Sequence, residues 1–124
     1  MNPGALEAVD RYLKHLSQER RLSPHTHAAY ARDLQCLVTF CDKQGREDWP
    51  ALTAHDVRAF AAACHRQGLA GKSIQRRLSA VRGLFEYLLR QDDADRRVAH
   101  NPARGCPAPK SARKLPAVLD ADQM

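Results

Sequence analysis

A chain of 124 residues has room for one domain, and its apolar fraction of 44% is that of a globular protein, not a fibrous or disordered one. No apolar run approaches membrane-spanning length, and the opening MNPGALEAVDRYL lacks the pattern of a secretory signal, so a cytoplasmic protein is expected. The net charge of +6 is unevenly placed: residues 57–90 hold 7 Lys/Arg against 1 acid, residues 96–114 hold 6 and no acid, and residues 1–56 hold 7 against 8. Two basic blocks point to surfaces aimed at a polyanion; no basic amphipathic helix with aromatic anchors supports an acidic membrane as that polyanion.

Residues 3–19 carry helical periodicity, with Leu6, Val9, Leu13 and Leu16 as a narrow apolar seam widened by Tyr12. Ser23-Pro24 is a start signal, Ser as N-cap and Pro at the first helical position, for a second helix reaching about Lys43. Its apolar side is Tyr30, Leu34, Leu37, Val38 and Cys41; its other side is His25, Ala28, Ala29, Arg32, Cys36 and Thr39. That outer side is small near the N-terminus, where a nucleic-acid backbone could approach and helix-end amides favour an anion. His25 and His27 point about 160° apart on a helix, which argues against a shared metal.

Gln44-Gly45 ends the second helix, and the sole tryptophan, Trp49, is expected to pack the following loop onto the core. Thr53-x-x-Asp56 resembles a capping box and starts a short third helix with Val57, Phe60, Ala61 and Cys64 inward; Gly68 suits the position just past its end. Residues 72–90 then form a fourth helix. Ile74, Leu78, Val81, Phe85 and Leu88 make its apolar stripe, and Lys72, Gln75, Arg76, Ser79, Gly83 and Arg90 fall opposite, with Arg77 and Arg82 flanking. A helix with a core face and a face of cations and amides suits DNA binding; an ordinary solvated face is the plain alternative.

Of the four cysteines, Cys41 and Cys64 lie on apolar stripes, Cys36 on an outer face and Cys106 in the tail; no C-x-x-C pair is present and no disulfide is expected. Beyond Arg90 the helical periodicity stops. The stretch NPARGCPAPKSARKLP is proline-rich and basic and reads as a linker, offering Arg104, Lys110, Arg113 and Lys114 to phosphates. The closing LDADQM has the look of an N-cap and first turn of another helix, with Asp120 as the cap, which suggests that the natural chain continues. The expected organisation is an all-α four-helix domain over 1–97, a linker over 98–118 and the truncated start of a second domain over 119–124.

Three segments, VDRYLKHLSQERRLSPHTHAAYARDLQCLVTFC, GLAGKSIQRRLSAVRGLFEYLLR and NPARGCPAPKSARKLPAVLDADQM, together resemble the N-terminal part of bacterial tyrosine recombinases, with the chromosome-dimer-resolving Xer branch most similar. The resemblance covers essentially the whole chain. It implies a core-binding domain with a SAM-like four-helix bundle, forming half of a clamp around duplex DNA, with the second and fourth helices toward the major groove. It also implies no cofactor, because the family's covalent phosphotyrosyl link conserves the phosphodiester energy. The implied partners are double-stranded DNA with a dif-like site and a second recombinase of the XerD type in a heterotetramer. No catalytic residue is expected here: the tyrosine nucleophile and its arginines and histidines belong to the domain after the linker.

By the same resemblance Thr26 is a phosphate contact on the second helix, with Ala28 and Ala29 facing the groove. Lys72, Ser73, Arg76 and Arg77 match DNA-facing positions of the fourth helix. Arg76 is the candidate for a guanine edge, and Lys72, Arg77 and Arg82 are candidates for phosphates, with helix-surface salt bridges as the alternative for Arg77 and Arg82. Arg32 and Gln75 on the polar faces, and Lys110 and Arg113 in the tail, complete the candidate DNA surface. Two further readings stay open: a helical protein-interaction module with a basic face, and the core-binding domain of a phage or transposon integrase.

Overall fold

The computed structural model describes residues 1–19, 23–91 and 98–106. Four helices follow one another: α1 (Pro3–Glu19), α2 (Pro24–Lys43), α3 (Ala54–Arg66) and α4 (Gly71–Arg90), with a single 3₁₀ turn at Trp49–Ala51 between α2 and α3. Among the described residues there is no strand, so the all-α expectation holds. No described helix is long and apolar enough to cross a membrane.

The helix boundaries are set by local chemistry. The Ser23 hydroxyl accepts from the Thr26 amide at 3.1 Å, and Pro24 opens α2. Thr53 and Asp56 form a reciprocal capping box on α3, at 3.1 Å and 2.9 Å. Gly68, at φ 89°, takes the left-handed conformation that ends α3 at little cost only for glycine. At α1, which the sequence marks less clearly, the Asn2 side chain accepts from the Ala5 amide at 2.8 Å.

The hub of the bundle is α4, which packs against each of the other three helices. All five residues of its predicted stripe are buried, joined by Ala80, Leu84 and Tyr87. Trp49 is fully buried; its ring meets Phe85 edge-on with centroids 5.9 Å apart, and its indole N–H donates to the Ala5 carbonyl at 3.0 Å. The 3₁₀ turn is thus closed onto α1 and α4 by one side chain, as the loop reading anticipated.

On two helices single positions depart from where the spacing put them. On α1 the buried set is Ala5, Ala8, Val9, Tyr12 and Leu16, while Leu6 is exposed and Leu13 only partly buried. The small alanines let the backbone of α1 approach closely, and the Trp49 bond to Ala5 holds that side inward. On α4, Gly83 does not belong to an open face: a side-chain carbon there would collide with the Tyr12 hydroxyl.

Cys41 and Cys64 are core residues as expected, Cys36 is exposed, and all four cysteines are free thiols. Cys106 is buried too. Residues 98–106, expected as the first part of a linker, lie against the bundle, with Val98, Ala103 and Cys106 in the core cluster. The Asn101 amide donates to the Arg82 carbonyl of α4 at 3.1 Å. The expected remainder of the linker, the segment 119–124 and most of the acidic stretch after Arg90 lie outside the described residues.

Candidate nucleic-acid interface

The polar side of the bundle is organised by one carboxylate. Asp33 of α2 is completely buried, an arrangement that costs several kcal/mol for a charge without partners. It has partners from α4. Arg76 Nε and Nη2 donate to its two oxygens at 2.8 and 2.9 Å, and Arg77 Nε donates to one of them at 2.9 Å. Arg77 Nη1 reaches on to the Cys64 sulfur of α3 at 3.4 Å. One acid thereby ties two helices together, and Arg77 extends the link to a third.

The two arginines differ in what they leave over. Arg77 has 12% of its side chain exposed, against 38% for Arg76. Burial works against the charge of Arg77, yet its bonds to Asp33 and Cys64 hold its pKa above the ordinary arginine value. The bond to Asp33 raises that of Arg76 as well, against its own partial burial. Arg77 is therefore a packing and pairing residue, and its guanidinium is not on the open face where a phosphate role places it. In Arg76 the side edge of the guanidinium is occupied, and the adjoining end edge, formed by Nη1 and the outer hydrogen of Nη2, has no bond among the described residues.

Around Arg76 the surface is polar and basic. Lys72 is exposed one turn before it on α4 and Gln75 is exposed beside it; neither forms an ion pair within the described residues. Arg32 is exposed on α2, one residue before Asp33. Ser73 is half-buried at the start of α4. That start has no side-chain cap, unlike α2 and α3, so its first amides are free of the capping bond and point a helix dipole outward. On α2 the Thr26 amide is already taken by Ser23, and the Thr26 hydroxyl accepts from Ser23 Oγ at 3.0 Å.

Two other candidates are placed differently. Ala29 is buried at 7% exposure, turned into the bundle, and cannot face a groove; Ala28 beside it is exposed. Arg82 is half-buried and donates to Ser79 Oγ at 3.0 Å. Lys110 and Arg113 lie outside the described residues. The residue that spacing missed is Asp33. It sits on the apolar stripe of α2, three after Tyr30 and four before Leu37, and an acid at a core-facing position is the signal that a buried cation must meet it.

The model of the phage integrase N-terminal SAM-like domain matches residues 9–92. The chain belongs to this family. It is also 47% identical over 115 residues to the tyrosine recombinase XerC of Pseudomonas aeruginosa, covering 93% of this chain and 37% of that protein. XerC of Alcanivorax borkumensis is 48% identical over 119 residues, 96% of this chain and 36% of the relative. XerC of Xanthomonas campestris is 48% identical over 124 residues, 98% and 37%. The resemblance carried by the motifs is thus borne out at the level of family. The chain spans little more than a third of the length of the curated relatives it matches. No solved structure matches it.

Proposed function

We propose that this chain is the DNA-gripping N-terminal domain of a site-specific tyrosine recombinase that cuts and rejoins duplex DNA. The observation that carries the reading is the basic face of α4, where Lys72, Gln75 and the partly exposed Arg76 follow a helix start without a side-chain cap. Such a face neutralises phosphates through lysine, arginine and helix-end amides, and offers one planar fork to a base edge. The names of the relatives favour a Xer-type recombinase over a phage or transposon integrase, and resolution of chromosome dimers is the role we propose with it. On that reading the target is a dif-like duplex and the partner a XerD-type recombinase. The chemistry resides in residues outside this chain, and Thr26, Arg32, Ser73, Arg82, Lys110 and Arg113 supply further contacts to the backbone.

Fluorescence anisotropy on a labelled Xer-type duplex and on a scrambled one, at two salt concentrations, tests this. Micromolar or weaker binding that falls steeply with salt is expected. Lys72→Ala should weaken binding to both duplexes alike and lower the salt slope by about 1. No binding to either duplex at low salt would refute the reading and leave a protein-interaction module.

A further inference from the structure

The Asp33–Arg76 contact does more than join two helices. A side-on pair through Nε and Nη2 fixes the guanidinium plane and removes the rotations by which a free arginine spreads its head group through solvent. The second bond partner of Asp33, Arg77, pins the carboxylate from the protein's interior, so that the acid itself cannot swing away. What remains unbonded, on a side chain 38% exposed, is the end edge of Arg76, two parallel N–H vectors whose spacing matches a pair of in-plane acceptors. Guanine N7 and O6 form such a pair, and so do two oxygens of a phosphate.

We propose that Asp33 is a positioning residue for nucleic-acid recognition: from the bundle interior it holds Arg76 side-on, so that the adjoining end edge of this guanidinium meets a paired acceptor on the duplex in a preformed orientation. This rests on the DNA-binding reading above. Asp33 touches no ligand itself; it acts through Arg76 by lowering the ordering cost of the contact. Arg77 serves the carboxylate and not the DNA.

Duplexes with and without guanines are titrated with the 124-residue chain, with Asp33→Asn, with Arg76→Lys and with the double variant, each at a temperature where circular dichroism shows it folded. Alongside, the arginine Nε–H resonances of the unaltered chain are recorded by nitrogen-15 NMR without DNA. A slowly exchanging Arg76 Nε–H is expected in the free protein. Arg76→Lys should weaken binding about tenfold, Asp33→Asn should do nearly the same, and the double variant should be no worse than Arg76→Lys alone. Loss confined to guanine-bearing duplexes would assign the acceptor to a base edge; equal loss on all duplexes would assign it to phosphate. Either supports the positioning role. Effects that multiply in the double variant, an unchanged affinity of Asp33→Asn, or a rapidly exchanging Arg76 Nε–H in the unaltered chain would overturn it while leaving DNA binding intact. The NMR result stands even if Asp33→Asn does not fold. Failure of the unaltered chain to bind any duplex overturns the DNA-binding reading, and this role with it.

Discussion

The hydroxyl of Tyr12 on α1 occupies the space that a side chain at position 83 of α4 would need. Glycine in the middle of a helix is costly, by about 1 kcal/mol relative to alanine. Here it lets the two helices close on a buried tyrosine, whose ring also lies 5.6 Å from that of Tyr87. Gly83→Ala is expected to lower stability by about 1–2 kcal/mol in urea unfolding, because overpacking outweighs the gain in helix propensity. Adding Tyr12→Phe should recover part of the loss by removing the atom nearest the new methyl. A Gly83→Ala variant as stable as the parent would show that Tyr12 moves aside freely.

Asp56 anchors the start of α3 and receives Arg46 through two bonds, at 3.0 and 3.2 Å. Burial alone would raise its pKa, but the bonds from Arg46 and Thr53 outweigh it and hold the carboxyl below the ordinary range. A depressed folded-state pKa means stability that is present above the unfolded value, near pH 4, and lost as the pH falls through the folded one. Asp56→Asn should cost about 1–2 kcal/mol at neutral pH through the weakened cap and lost charge. It should also unfold less steeply in acid than the parent. Acid titrations of the two by circular dichroism check both effects.

The thiols are predicted to separate by accessibility. Cys36 is exposed on α2, beside a groove of about 210 Å³ also lined by Phe40, Phe60, Cys64 and Arg77. Cys41, Cys64 and Cys106 are buried. A thiol reagent on the native protein should label Cys36 within the mixing phase and the other three only at the rate of opening. Two fast thiols in the parent would contradict this placement, and Cys36→Ser should abolish the fast phase.

Burial, together with the charges of Asp56 and Asp42, pushes the Cys41 thiol up from an ordinary value of 9.0 to about 12. The folded protein therefore keeps this proton through a range in which the unfolded chain releases it. Stability is fully present below about pH 9 and declines as the pH rises toward 12, by up to about 4 kcal/mol from this group. Cys41→Ala should flatten the alkaline decline in urea-unfolding measurements at pH 8–11. An unchanged slope would place the loss in other groups.

Trp49 provides a probe of the closure of the 3₁₀ turn. With its ring buried on Phe85 and its N–H on the Ala5 carbonyl, its emission should be blue-shifted in the native state and move to the red on unfolding. Trp49→Phe keeps most of the apolar contact but leaves the Ala5 carbonyl without this donor, a loss of about 1–3 kcal/mol in thermal unfolding. Trp49→Ala adds a cavity and should cost about 3–5 kcal/mol.

Much of the fold was legible in the chain by itself. Ser23-Pro24, Thr53 with Asp56, and Gly68 determine where helices start and stop, because caps act within three or four residues of themselves. The stripe of α4 is equally local: Ile74, Leu78, Val81, Phe85 and Leu88 share a face whatever they pack against. The basic character of the site could be read from the same helix, since charge counts need no partner. The tertiary structure decided which side of α1 faces inward, because Ala5 and Ala8 win over Leu6 only when α4 and Trp49 stand close to that backbone. It also decided the fate of the arginines. Asp33 lies 43 residues from Arg76 and 44 from Arg77, so nothing local pairs them. A buried carboxylate must be neutralised by whatever cation the packing of α2 on α4 brings within reach, and that packing nearly buries Arg77 and leaves Arg76 partly exposed.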